Sequence, residues 1–162
     1  MELRMLNGAE KPAAMALCWR VFLQFEAPDY PPEGVEAFRS YIEDEEKIIA
    51  LTALGAFHGS ELVGVLAAEG NHVALFFVDP VYHGQGVGRA LLERLLDERQ
   101  NATLTVNAAP YAVEIYRRLG FHPTDQEQLA PDGIRYRPME RCPSVDADGP
   151  HAPTGLSIDI ST

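Results

Sequence analysis

The chain has 162 residues, 46% of them hydrophobic and 23% charged, the size and make-up of one water-soluble domain able to bury a substantial core. No apolar run is long enough for a membrane-spanning helix. A net charge of −11 repels phosphate backbones and anionic lipid, which excludes nucleic acid and membrane as expected partners and suits a cationic, amine-bearing one.

In chain order, Leu3–Leu6 reads as a short strand closed by Asn7-Gly8. A helix follows over Pro12–Phe25, with Pro12 in the first turn and Met15, Cys18, Phe22 and Phe25 on one apolar stripe. The segment from Ala27 to Pro32 breaks it, and a second helix is expected over Pro32–Glu45. Ala53–His58 and Glu61–Ala68 read as strands joined at Gly59-Ser60, and Gly70-Asn71 turns the chain into a third antiparallel strand, His72–Asp79. After a glycine-rich loop, Gly86–Arg99 has the pattern of a helix with Leu91, Leu92, Leu95 and Leu96 inward. Ala102–Val106 is a short strand, and Pro110–Leu119 is a helix stopped by Gly120. Phe121 and Ile134–Arg141 are the last strands, and the whole is an α+β, or mixed α/β, domain over residues 1–141.

Residues 142–162 have no helical period and read as a loosely attached tail. Leu156, Ile158 and Ile160 alternate there, so the tail could add a strand to an exposed edge, which is how a homodimer would form. Acidity gathers in the N-terminal third, around Glu26, Asp29, Glu33, Glu36 and the run Glu43 to Glu46. Cys18 and Cys142 match neither a disulfide framework nor a zinc spacing, and the first residues lack the pattern of a secretory leader, so a cytoplasmic protein is expected. His58, His122 and His151 stand alone in the sequence, and no metal is assigned.

The most informative stretch runs from Leu75 to Leu92: an apolar strand, a loop with Gly84, Gly86 and Gly88, and a helix that starts at once. Successive N–H groups at a helix N-terminus, unshielded by side chains, form an anion site suited to a diphosphate. A phosphate loop of the Gly-Lys-Ser/Thr kind is absent. A dinucleotide fingerprint also fails, because its third glycine would fall on Arg89 or on Leu91.

His83-Gly84-Gln85-Gly86-Val87-Gly88, preceded by Val78-Asp79-Pro80, resembles the acetyl-CoA motif of the Gcn5-related N-acetyltransferase (GNAT) superfamily. Asn107 after the next strand and Tyr116-Arg117-Arg118-Leu119-Gly120-Phe121 agree with that family's second motif, and the element order fits from Leu3 to about Arg141. His83 is the departure, since the family prefers Arg or Gln there. The resemblance implies a central twisted mixed sheet of about six to seven strands flanked by about four helices.

It also implies acetyl transfer from acetyl-CoA, a co-substrate, to a primary amine of a small molecule or peptide. The backbones of Phe77 and Val78 would hold the pantetheine arm, and His83, Gly84, Gln85, Gly86, Val87, Gly88 and Arg89 the pyrophosphate, with Asn107 on the arm. Tyr116 would be the general acid that protonates the departing thiolate, as a phenol still protonated at neutral pH can. Tyr116 also fits a helix face with Ala112, Ile115 and Leu119, and Tyr111 is its weaker rival. Glu69 and His72, flanking the turn before the cofactor strand, are candidate bases. Glu26, Asp29, Tyr30 and Glu33, between the first two helices, would border the acceptor and attract a cation. The alternative in a different class is a catalytically silent acyl-CoA-binding or sensing module.

Overall fold

The computed structural model describes Met1–Pro143, so the expected tail lies from Ser144 onward outside the described residues, with His151, Leu156, Ile158 and Ile160. The elements are β1 (Glu2–Met5), α1 (Lys11–Phe25), α2 (Pro32–Glu43), α3 (Glu45–Ile49), β2 (Thr52–His58), β3 (Glu61–Glu69) and β4 (His72–Val78). They continue with α4 (Val87–Glu98), β5 (Leu104–Ala108), α5 (Val113–Arg118), β6 (His122–Pro123), β7 (Gln128–Leu129) and β8 (Arg135–Arg141). Short 3-10 turns occupy Ala27–Asp29, Pro80–Tyr82 and Pro110–Ala112. No helix among the described residues is long and apolar enough to cross a membrane.

Local chemistry explains most boundaries. Asn7 and Glu10 each accept a hydrogen bond from the other's backbone N–H, at 3.0 and 2.9 Å respectively, and α1 starts from that turn. The expected single helix over Pro32–Glu45 is instead two. Asp44 takes an extended conformation and its carboxylate accepts from the Lys47 N–H at 3.2 Å, ending α2 and capping α3. The helix expected over Pro110–Leu119 begins as a 3-10 turn, and the strand expected over Ala102–Val106 lies two residues later.

The strands form an eight-stranded mixed sheet in the order β1-β2-β3-β4-β5-β8-β6, with β7 also paired to β8. Alternate residues feed two cores on its two faces. Leu54, Leu66, Phe76 and Val78 pack with Leu91, Leu92, Leu95 and Leu96 of α4 and with Tyr116 of α5. Ala53, Val65, Leu75 and Phe77 pack with Cys18, Val21 and Phe22 of α1. Each leucine on the inner stripe of α4 contributes about 1.5–3 kcal/mol by leaving water, which ties that helix, and the loop before it, to the sheet.

One pairing matters for function. Apart from β4 and β5, the strand pairs are antiparallel; β4 and β5 run parallel and pair only at His72↔Thr105 and Val73↔Val106. Beyond Val73 they diverge, leaving the rest of β4 with an open edge in the middle of the sheet.

Candidate active site

The divergence of β4 and β5 opens a cavity of about 260 Å³. Val73, Ala74, Phe76 and Phe77 of β4 form one side, and Val106, Asn107 and Ala109 the other. Ala112 and Tyr116 close it from the α5 side, and Phe22, Glu26, Tyr30 and Phe38 from the side of α1 and α2. Ile134 and Tyr136 complete the wall. The sequence-predicted Tyr116, Asn107, Glu26 and Tyr30 therefore meet around one space. Phe22 reads from the sequence as part of the apolar stripe of the first helix, and nothing in the residue pattern singles out Phe38, Ile134 or Tyr136.

The open edge of β4 leads from this cavity to the glycine loop. Asp79 N–H donates to Val63 O at 2.8 Å, so by alternation Phe77 also turns its backbone groups toward β3, while Phe76 and Val78 turn theirs to the open side. Of the two residues expected to hold an extended arm, Val78 has that orientation and Phe77 does not; Phe76 takes its place. His83 folds back over Phe25, ring centroids 5.7 Å apart, and its Nε2 donates to the Val78 carbonyl at 2.8 Å. The imidazole thus fixes the end of β4.

Asp79, buried, holds the entry to the loop: its carboxylate accepts from the Val81 N–H at 2.9 Å and from Arg20 at 3.1 Å. Gly86 then stands at φ +82 as the residue before α4, which left-handed backbone makes natural for glycine, and no side chain caps the helix. A Cβ at Gly84 or Gly86 would meet nothing within 4 Å, so the loop presents bare backbone to open space. On the same first turn, Arg89 Nε and one of its terminal nitrogens are buried without a partner. Unpaired buried guanidinium donors beside an uncapped helix N-terminus fit a phosphorylated ligand with an arm lying along β4.

The cavity has its own electrostatics. Burial pushes the Glu26 carboxyl up to about 7, although the Tyr30 hydroxyl donates to it and pulls the other way. Burial, with the Glu26 charge adding to it, raises Tyr116 above the ordinary tyrosine range, so its hydroxyl keeps its proton. The ring sits edge-on to Phe76 and Phe121, with centroids 6.1 and 5.3 Å away. Tyr111 is raised for the same reasons, and its hydroxyl is buried without a hydrogen-bond partner. Among the residues lining the cavity, Glu26 is the one carboxylate and there is no Lys, Arg or His.

Other expected residues lie elsewhere. Glu69 and His72 face each other across the β3–β4 turn, outside the cavity lining, and His72 Nδ1 is 2.8 Å from Thr105 Oγ1. Burial holds His72 below the usual imidazole range. Asp29 and Glu33 are exposed and also outside the lining. His122 is not isolated: it stands opposite Glu140, 3.6 Å away, and Cys142 reaches the same carboxylate at 3.5 Å. None of these three residues is among those that line the cavity.

Comparison with known proteins agrees with this geometry. A family model described as an acetyltransferase (GNAT) domain matches residues 26–142. The chain is 28% identical over 113 residues to the peptidyl-lysine N-acetyltransferase YjaB of Escherichia coli, covering 69% of this chain and 74% of that protein. It is 29% identical over 120 residues to the histone acetyltransferase TAP1 of Glycine max, covering 65% of this chain but only 49%, about half, of that protein. A solved GCN5-related N-acetyltransferase from Rhodopseudomonas palustris superposes with a TM-score of 0.73 at 26% identity, over 87% of this chain and 94% of that one. The same fold, at 20% identity and a TM-score of 0.68, is found in the PaiA N-acetyltransferase of Thermoplasma acidophilum in complex with coenzyme A, over 87% of this chain and 98% of that one.

Proposed function

The chain belongs to the GNAT acetyltransferase family, and from that premise we propose that it moves an acetyl group from acetyl-CoA to a primary amine, inside the cavity between β4 and β5. The observation that carries the reading is the continuity of three parts: an uncapped glycine loop, an open strand edge, and a cavity holding a carboxylate and a protonated phenol. The loop N–H groups and Arg89 bind the pyrophosphate, and Val78 and Phe76 align the pantetheine amides along β4.

Glu26 takes one proton from the ammonium as the amine is readied for attack, a task that suits a carboxyl titrating near 7. The nitrogen lone pair forms the new bond at the thioester carbonyl, and the C–S bond breaks as the intermediate collapses. Tyr116 delivers its proton to the departing sulfur and regains one from the nitrogen, which sheds its second proton as the intermediate collapses, leaving coenzyme A as the thiol and the product as a neutral amide. Glu26 thereby takes over the role that sequence reasoning had offered to Glu69 and His72, both outside the cavity lining.

Acetyl-CoA is expected to raise the melting temperature of the chain, as a ligand of the native state must. Gly86→Asp, which puts bulk and negative charge at a left-handed position beside the pyrophosphate, abolishes that shift. An undiminished shift in the folded variant would overturn the loop assignment. A shift in the wild type with no thiol release for any amine would leave a binding module in place of an enzyme.

A further inference from the structure

The side of the cavity away from the glycine loop is built from rings. Phe22 and Phe38 stack with centroids 4.0 Å apart, Tyr30 lies 5.8 Å from Phe22, and Phe77 meets Phe38 edge-on at 5.8 Å. Ile134 and Tyr136 come from the end of the β7–β8 connection and from β8. That connection is pressed onto the start of α2 through a glycine on each side. A Cβ on Gly133, at φ +88, would stand 2.4 Å from Pro31 Cγ, and one on Gly34 would stand 2.9 Å from Ile134 Cγ1. The two segments thus pack against each other beside Ile134, one of the residues that line the cavity.

Charge narrows the occupant further. Glu26 neutralises one ammonium. A second positive charge on the same molecule would lie against aromatic and aliphatic walls with no anion to pair, which is costly. Flat rings, by contrast, are good partners for another ring.

Resting on the transferase reading above, we propose that the acceptor is a small primary amine bearing a single positive charge on a flat aromatic or branched apolar body. Its nitrogen sits at Glu26 and its body lies between the Phe22–Phe38 pair and Ile134 with Tyr136. Polyamines and aminoglycosides are disfavoured by the missing second anion, and a lysine side chain offers the rings no flat body.

The test uses the full chain with saturating acetyl-CoA and follows thiol release with 2-phenylethylamine, spermidine, an aminoglycoside and a lysine-containing peptide. The kcat/KM for 2-phenylethylamine is expected to exceed each of the others by about tenfold or more. Ile134→Ala is expected to raise the KM for 2-phenylethylamine while leaving the acetyl-CoA melting shift intact. Preference for any of the other three acceptors would overturn the proposal, as would bound acetyl-CoA with no turnover of 2-phenylethylamine or an unchanged KM in Ile134→Ala. Absence of any acetyl-CoA shift in the wild type would instead fell the transferase reading itself.

Discussion

In the proposed reaction two side chains stand at opposite ends of the proton path, and each makes its own prediction. Tyr116 keeps its proton because burial opposes the phenolate, so its hydroxyl is available when the thiolate leaves. Tyr116→Phe keeps the ring contacts with Phe76 and Phe121 and removes only the oxygen. We expect kcat to fall by about 10²–10⁴-fold with the acetyl-CoA Kd unchanged, measured by single-turnover kinetics and by calorimetry. Unaltered single-turnover chemistry would return Tyr116 to the core. Glu26 must be ionised to accept a proton, so kcat/KM should climb as pH rises through about 7 and level off above it. Glu26→Gln should erase that limb along with most of the activity. The same shift acts on stability with a definite sign. In the unfolded chain a glutamate loses its proton near pH 4.3, while the folded chain holds it to about 7, so stability drains away between those values as pH rises. Glu26→Gln should therefore raise Tm at about pH 8 and leave it unchanged at about pH 4. A variant with the wild-type pH profile of Tm would mean that Glu26 is solvated.

At the scale of elements, the turn after β4 is where Asp79 ties the start of the glycine loop to the sheet and to α1. Asp79 joins three pieces: the N–H of Val81, the α1 side chain Arg20, and the end of β4 through its own N–H on Val63. Asp79→Ala should cost about 1–3 kcal/mol in urea unfolding, because the Val81 N–H and Arg20 lose the charged acceptor that joins them. It should also weaken acetyl-CoA binding, since the loop loses its anchor. A stability loss with unchanged Kd would show that the loop holds its shape without Asp79. Local signals of this kind explain what could be read from the sequence. The hairpins at Gly59 and Gly70, the leucine stripe of α4 and the loop glycines each depend on neighbours in the chain. The break between α2 and α3 was hidden because Asp44 lies within a run of acids and acts as a cap only once Lys47 folds back on it. The two-residue strands β6 and β7 are too short to show alternation. The cavity was legible only in part, because it is assembled from four separated stretches of chain, 22–38, 73–77, 106–116 and 134–136. Glu26 could be placed near an acceptor from its loop, but its burial and its bond to Tyr30 arise from packing. Phe22 and Phe38 obey the same helical period as core residues, and nothing local distinguishes a ring that lines a cavity from one that fills it.

The whole molecule imposes a field on both substrates, and it acts on them with opposite signs. A net charge of −11 attracts a cationic amine and repels a ligand carrying several phosphate charges. Asp29 and Glu33, exposed and outside the cavity lining, contribute to that field without touching the reacting atoms. Raising salt from about 20 to about 200 mM shortens the screening length from about 20 to about 7 Å, which mutes the field at the cavity mouth while sparing contacts inside. The KM of the amine should therefore rise with salt, and the association rate of acetyl-CoA should rise as well, one a loss and the other a gain. Neutralising Asp29 and Glu33 together should reduce both dependences, leaving kcat at saturation unchanged. Stopped-flow binding of acetyl-CoA and steady-state kinetics on the amine, run across the same salt series, read the two slopes. If acetyl-CoA instead binds more slowly as salt rises, the uncapped start of α4 and Arg89 govern its approach, and the overall charge serves the amine alone.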